Sequence, residues 1–388
     1  MCGIAGIFGA SYSEAELQER IRRMTATLAH RGPDGDGIMV RASELIALGH
    51  RRLAIQDLSD AGAQPMLSPS RRYVVVFNGE IYNAPELKAK LSGNIRWRGH
   101  SDTEVLLAAF EQLGVVRTIE LAVGMFALAL YDGRDRKLYL IRDRFGEKPL
   151  YYAMHRGGVV FASELKGLLA LPDLQPRICR DGVVLLLKHN YIPAPYTILE
   201  GVRKLLPATV VTVDGGGAQE RRYWDAAEVA RRSRGNRSAA GDFEASAEQL
   251  RERLRQSVRG QLVSDVSIGA FLSGGIDSSL VCAIMQEQSP VRVNTYTIGF
   301  REPQFNEAAF AREVARHLGT SHTEYYVSAQ DALALVEALP TVFDEPFADS
   351  SQLPTLLLAR MASKDVKVAL SGEAGDELFG GYSRYAAF

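Results

Sequence analysis

From residue 246 onward the sequence alternates between two hydrophobic rhythms, and that order leaves few folds open. Leu250, Leu254, Val258 and Leu262 recur at helical steps. Residues 266–272 form a short apolar run, followed by a glycine loop and a helix from about Ser278. Strand-like 291–298 precedes helix-like 308–318, and strand-like 324–327 precedes helix-like 329–339. Strand-like 366–370 then leads into a second loop and Glu377-Leu378-Phe379. Strands alternating with helices predict a parallel, doubly wound sheet whose ligands sit beyond the carboxyl ends of its strands.

The chain before residue 214 reads differently, as short apolar runs separated by turn signals. Residues 2–8 predict a strand. Residues 16–30 predict a helix, with Leu17, Ile21, Met24 and Leu28 on one face. Arg31-Gly32-Pro33-Asp34-Gly35 predicts a turn. A strand over 73–77 is expected to stop at Asn78-Gly79. A helix over 103–113 starts after a cap at Ser101 or Asp102. Residues 126–131 and 137–141 predict a hairpin across Asp132-Gly133, and Tyr151, Tyr152, 159–161 and 210–213 add strands. This is an α+β layered domain over 1–213. Three successive glycines from Gly215 and an arginine-rich stretch open a solvated linker over 214–245, and 246–388 forms the second domain.

Composition narrows the function classes. Two or three domains fit 388 residues. Basic residues number 45 against 46 acidic ones, so no global positive field holds nucleic acid. The longest apolar run, 121–131, is too short to cross a bilayer, and the start lacks the basic region of a signal peptide. A cytoplasmic enzyme is expected. Cys2, Cys179 and Cys282 are too few and too scattered for a disulfide framework or zinc, and Cys179 and Cys282 read as buried small hydrophobes.

Cys2 follows only Met1. Removal of Met1 leaves a thiol and an α-amine on one residue, and an amine with a reference pKa of about 7.7–8.0 can take the proton of its own nucleophile. A cysteine that merely opens a strand meets the same description. The second loop region offers more. Ser273-Gly274-Gly275-Ile276-Asp277-Ser278-Ser279 follows a strand and opens a helix, so successive N–H groups can cradle phosphate oxygens. It is not a Walker A loop. Ser371-Gly372-Glu373-Ala374-Gly375-Asp376-Glu377 also follows a strand, so both loops face one crevice. Asp277 and Asp376 offer hard oxygen ligands for Mg²⁺ on such phosphates.

The N-terminal motifs MCGIAGIFG, His30-Arg31-Gly32-Pro33-Asp34, Gly49-His50-Arg51-Arg52-Leu53 and Asn78-Gly79-Glu80-Ile81-Tyr82-Asn83 occur in order. In this order they resemble the class II glutamine amidotransferases, which are N-terminal-nucleophile hydrolases with an αββα sandwich. The resemblance implies that Cys2 attacks the glutamine amide and that Asn78 and the Gly79 N–H form the oxyanion hole. It implies Arg52, with Arg51 as the adjacent candidate, for the glutamine carboxylate, and Asp102 with Glu80 for its ammonium. The family uses neither His30 nor His50 as a base, which leaves them structural roles.

The serine-rich loop resembles the pyrophosphate loop of ATP pyrophosphatases. With the loop at Ser371, the resemblance narrows to the glutamine-hydrolysing asparagine synthetases. It implies ATP contacts at Leu272, Ser273, Gly274, Gly275, Asp277, Ser278, Ile298, Ser371 and Gly372, with Glu373 as the catalytic residue of the second site and Glu377 solvated or capping. The segment 343–347 is placed near the acceptor. The implied chemistry is attack of aspartate on the ATP α-phosphate, release of ammonia by Cys2, and its internal passage to β-aspartyl-AMP, giving asparagine, AMP and pyrophosphate. The expected partners are glutamine, aspartate and ATP, with a homodimer as the assembly.

Phe379, Tyr382, Tyr385 and Phe388 fall three apart, as on one helix face, and an apolar ending in mid-pattern predicts a C-terminally truncated chain with an incomplete second domain. Glutaminase activity is then expected to survive, with synthesis weak or absent. The alternatives are an amidotransferase acting on another carboxylate, a sugar acid or peptide, and a glutaminase-only or inactive remnant.

Overall fold

A computed structural model of the chain describes residues 1–233, 243–300, 306–383 and 385. Residues divide into two compact units: Met1–Ser238 together with Phe343–Ala348, and Ala239–Val342 together with Asp349–Phe388.

The first unit holds strands β1 (Gly3–Phe8), β2 (Gly35–Arg41), β3 (Ile46–Arg52), β4 (Met66–Leu67), β5 (Tyr73–Ile81), β6 (Gly124–Asp132), β7 (Lys137–Arg142), β8 (Tyr151–His155), β9 (Gly158–Ala162), β10 (Val202–Lys204), β11 (Thr209–Asp214) and β12 (Gly217–Arg222). Its helices are α1 (Glu14–Ala26), α2 (Ala84–Lys88), α3 (Asp102–Leu113), α4 (Val115–Leu121), α5 (Leu165–Leu169), α6 (Arg180–His189) and α7 (Ala226–Ser233). The strands form two antiparallel sheets, ordered β10-β8-β9-β1-β3-β2 and β12-β11-β7-β6-β5-β4.

Alternation along the strands separates three apolar layers. Ile4, Leu48 and Phe161 of one sheet meet Val74, Val76, Ala127 and Ala129 of the other between the sheets. Val75, Phe77 and Leu128 face Val105, Leu106 and Phe110 of α3. Ala5, Ile7 and Val160 face Leu17, Ile21 and Met24 of α1 and Leu168 of α5. The layers are therefore helix, sheet, sheet, helix, as expected of the N-terminal-nucleophile sandwich.

Local chemistry explains where elements begin and where expectations miss. A capping box between Ser13 and Glu16 starts α1, which ends at Ala26 rather than residue 30 because Thr27 caps the Met24 carbonyl and a turn returns Arg31 to the Leu28 carbonyl. Ser101, not Asp102, caps α3 by accepting from the Glu104 N–H. The Asn78-Gly79 stop is corrected: β5 runs on to Ile81, because β6 pairs with all nine of its residues, and that pairing overrides the local turn signal. Cys179 is not a buried hydrophobe; its sulfur accepts from the Gly182 N–H and caps α6, whereas Cys282 is buried as expected. Within 214–245, Asp214 pairs with Gly217 at a hairpin turn into β12, and α7 follows; residues 234–242 lie outside the described residues. The segment 343–348 groups with the first unit, where the Lys166 N–H donates to Asp344 at 2.9 Å and the Ile198 N–H to Glu345 at 2.7 Å.

The second unit holds α8 (Phe243–Gln261), β13 (Ile268–Phe271), α9 (Ile276–Gln288), β14 (Asn294–Phe300), α10 (Ala308–Leu318), β15 (Ser321–Val327), α11 (Ala329–Val336), α12 (Leu339–Val342), α13 (Gln352–Ala362), β16 (Val368–Leu370) and α14 (Gly375–Phe379). Its parallel sheet is ordered β15-β14-β13-β16. One face packs on α8, α9 and α10 through Val258, Met285 and Ala311, the other on α11 and α13 through Leu335 and Leu357. The aromatic helix face expected at the end is corrected: Gly380 closes α14 in a left-handed conformation, φ 70°, and Tyr382 and Tyr385 meet edge to face beyond it. Phe388 lies outside the described residues. No helix among the described residues is long and apolar enough to cross a membrane.

Leu106 is fully buried between α3 and its sheet. Leu106→Ala is expected to destabilise the first unit by about 2–5 kcal/mol, read as a lower denaturant midpoint of its transition, whereas Leu106→Met costs less than about 1.5 kcal/mol.

Candidate active site

In the first unit the two-residue repeat aims the functional side chains. Ile46 and Leu48 point between the sheets, so His50 and Arg52 follow them; Ile4 does likewise, and Cys2 precedes it by two. From the facing sheet Val74 and Val76 point inward, so Asn78 and Glu80 do too. Cys2, Arg52, Asn78 and Glu80 thus reach the same interlayer space although three separate strands carry them.

The Cys2 sulfur accepts from the Leu53 N–H at 3.4 Å and lies 3.6 Å from the Leu53 carbonyl. Arg31 Nε donates to the Cys2 carbonyl at 2.8 Å while its Nη1 donates to Glu164 at 2.7 Å, which fixes the start of β1. Burial pushes the Cys2 thiol up and lowers the chain's first amine, here on Met1, to about 6. Lys148 Nζ lies 3.5 Å from the Met1 sulfur.

Asn78 is buried, and neither atom of its amide has a hydrogen-bond partner among the described residues. Such a group is costly unless a ligand completes it. The Gly79 N–H is turned to the same edge of β5 as those of Phe77 and Ile81, away from β6. A side chain at 79 has no room, since its Cβ would lie 2.6 Å from Phe126 Cα and closer still to the Met125 carbonyl. Glu80 Oε1 is also buried without a partner. Burial, then the nearby Asp102 charge, raises Glu80 to about 7; burial raises Asp102 to about 6, while its Oδ2 accepts from the Ile81 N–H at 2.7 Å. Arg52 and Arg51 diverge: Arg52 donates to the carbonyls of Ser59, at 2.9 Å, and Asp57, whereas Arg51 pairs with Asp36. His30 faces Glu164. The sequence motifs include Leu53 but do not foretell its backbone contact with Cys2, and they leave out Lys148, whose one signal is a charged pair set between Gly146 and Pro149 in a strand connection.

In the second unit β16 lies on the opposite side of β13 from β14, so the loops after β13 and β16 meet at the reversal of strand order. A Cβ on Gly372 would lie 2.6 Å from the Ser278 nitrogen, and one on Gly375 would strike the Asp277 carboxylate. Within the first loop the Ser273 and Ser278 hydroxyls bond at 2.9 Å, and the Ser273 hydroxyl accepts from the Gly275 N–H at 3.3 Å. Gly274 has a φ of 86° and sits 2.8 Å, by its absent Cβ, from Phe310, so only glycine fits. Gly275 precedes the first turn of α9, whose N–H groups open toward the loop. Leu272 is buried in the core and presents only backbone; Ile298 is partly buried on β14. Glu373 lies on the second loop, where its N–H approaches the Ser371 hydroxyl at 3.5 Å, and Asp376 lies in the first turn of α14.

Two family models match the chain: a glutamine amidotransferase domain over residues 1–224 and asparagine synthase over residues 249–388. A protein of Methanocaldococcus jannaschii provisionally named asparagine synthetase 2 (glutamine-hydrolysing) is 35% identical, covering 98% of this chain and 76% of its own length. Asparagine synthetase 1 (glutamine-hydrolysing) of Bacillus subtilis is 35% identical over 99% of this chain and 59% of its own. Asparagine synthetase B (glutamine-hydrolysing) of Escherichia coli is 32% identical over 98% of this chain and 65% of its own. The chain therefore spans less than two thirds of two of these relatives. With both models in sequence and identities of this size along nearly its whole length, the chain belongs to the family of glutamine-hydrolysing asparagine synthetases, a glutamine amidotransferase domain followed by an asparagine synthase domain.

Proposed function

We propose that the chain forms asparagine from aspartate, with glutamine as nitrogen donor and ATP as activating nucleotide. The observation that carries this reading is the group of buried, unpartnered polar atoms of Asn78 and Glu80 facing the space that Cys2 borders, a constellation suited to a polar ligand with an amide and an ammonium. Family membership supplies the chemistry.

Removal of Met1 leaves the α-amine on Cys2 and frees the space its side chain takes beside Lys148 and Arg31. The thiol proton passes to that amine and sulfur attacks the glutamine side-chain carbonyl. The oxygen of the tetrahedral intermediate is met by the Gly79 N–H and the Asn78 amide, both held in place by β5 before charge develops. The C–N bond breaks as the amine returns its proton, ammonia leaves, and water hydrolyses the thioester to glutamate. Arg52, pinned by two carbonyls, directs its remaining N–H donors at the substrate carboxylate. Glu80 and Asp102 take the ammonium.

In the second unit the Ser273–Ser278 loop and the first turn of α9 receive the ATP phosphates, with Ser371 and Gly372 closing the other side. An aspartate carboxylate oxygen bonds the α-phosphorus and pyrophosphate departs; ammonia then attacks the acyl carbon and AMP departs, with Glu373 placed to take a proton. Mg²⁺ fits the donor set: Asp277 and Asp376 are hard carboxylates without an ion-pair partner among the described residues, and although no group of three or more such ligands gathers among those residues, an ion that keeps water and phosphate oxygens needs no larger protein cluster. Bound there by Asp277 and Asp376, it would neutralise phosphate charge. Three unpaired thiols suit a cytoplasmic setting.

Glutamate release from glutamine is expected to vanish in Cys2→Ala; glutamate release that survives Cys2→Ala overturns the first site. Pyrophosphate release is expected to require aspartate, measured by coupled phosphate assay with and without it; release indifferent to aspartate overturns the acceptor. The carboxyls set a pH dependence. Glu80 at about 7 loses its charge as pH falls, so KM for glutamine rises between pH 8 and 6. Glu80→Gln is expected to raise KM at pH 8 and move the remaining acid dependence downward, toward the Asp102 value of about 6.

A further inference from the structure

Strand β5 carries its functional groups past the end of its edge partner. β4 pairs only with Val74 and Val75, so beyond them the outward backbone groups of β5 need other partners. Side chains supply them. Gln64 Oε1 accepts from the Phe77 N–H at 2.7 Å, and His50 Nε2 lies 3.2 Å from the Phe77 carbonyl, both in buried surroundings. Asp102 accepts from Ile81. Gly79, midway between, is the outward residue whose N–H meets no acceptor among the described residues. Gln64 is itself placed by a close approach of its carbonyl to Gly37, where no side chain fits.

His50 comes from β3, in the opposite sheet, so its bond spans the two layers. A carbonyl only accepts, so the bond puts the proton on Nε2 and leaves Nδ1 bare; Nδ1 is buried and has no partner among the described residues. Burial holds the ring down at about 4, hence neutral near pH 7. On the same strand Arg52 lies two residues further on, and Ile4 pairs with His50 two residues after Cys2. His50 therefore ties the layer that carries the nucleophile to the strand that carries the oxyanion donors, at the peptide that links Phe77 to Asn78.

We propose that His50 is a positioning residue for glutamine hydrolysis: its Nε2–H bond to the Phe77 carbonyl, with Gln64 on the Phe77 N–H, sets the distance and tilt of Asn78 and the Gly79 N–H relative to Cys2. The proton on this ring does not move during the reaction. A group that positions the oxyanion hole affects the tetrahedral state more than the bound substrate, so its loss falls on kcat.

This rests on the glutaminase reading, and the experiment separates the two. In the full chain, glutamate release is measured for the parent, His50→Leu, His50→Asn and His50→Gln. Gln carries an amide N–H near the Nε2 position and Asn near Nδ1. We expect His50→Leu and His50→Asn to lose about 10-fold or more in kcat with KM within about 2-fold, and His50→Gln to recover most of it, a smaller effect than outright removal of an oxyanion donor. The pH profile of His50→Gln should match that of the parent. If His50→Gln is as impaired as His50→Leu, or loses a limb of the pH profile, the ring acts as a base and the inference falls. If all three behave like the parent, it also falls. Should the His50 variants not fold, Gln64→Glu, which keeps an acceptor for Phe77, is compared with Gln64→Met: a kcat loss confined to Met supports the clamp, and equal activity overturns it. A parent chain that releases no glutamate defeats the glutaminase reading itself, and the inference with it.

Discussion

The unbroken pairing of β5 with β6 imposes a pleat on residues 73–81, and the direction of each functional group in the first unit follows from it. Side chains at even positions turn toward the other sheet and those at odd positions toward α3, while the backbone groups of odd positions turn to the strand edge. Asn78 and Glu80 become side-chain donors and acceptors inside the sandwich, and Gly79 contributes its backbone. A one-residue slip of β5 against β6 would bury Phe77 where Asn78 belongs and turn the Gly79 N–H into a ladder bond. Register thus decides which groups of β5 face the interlayer space, and the apolar layers on both sides of the strand hold it.

Those layers also set the electrostatics. The sandwich interior that aligns Cys2, Glu80, Asp102 and Lys148 takes water away from each of them, and desolvation is the leading cause of every shift among them. It drives the carboxyls up and the lysine down. A ligand bringing an ammonium and a carboxylate would supply the countercharges that the buried groups lack. The same burial that costs the free protein stability favours a zwitterionic guest.

Much of this was legible in the sequence because hydrophobic rhythm survives folding. The strand-helix alternation after residue 246 gave a parallel sheet, and α10 spans the residues that periodicity predicts, since its apolar stripe is decided locally. The N-terminal motifs led to Cys2, Asn78 and Glu80, which share one interlayer space. What was missed depended on partners remote in the chain. Asn78-Gly79 looks like a turn until β6 is laid beside it. Cys179 looks like a core residue until the chain bends to make it a cap. Lys148 acquires meaning only when its turn is folded back toward the chain start, and no spacing rule reports that. His50 sits in a motif, yet its bond to Phe77 follows from the packing of two sheets rather than from neighbours in sequence.

The interlock at Gly372 and Gly375 has an evolutionary side. Gly372 is flat against the Asp277 and Ser278 backbone, so a side chain there would displace the loop after β13, while one at Gly375 would push aside the Asp277 carboxylate. Two motifs separated by most of the second unit's length therefore constrain each other's substitutions. Drift in either is confined to the variants its counterpart tolerates, and chimeras that exchange only one of them between distant relatives inherit a steric conflict rather than a new specificity.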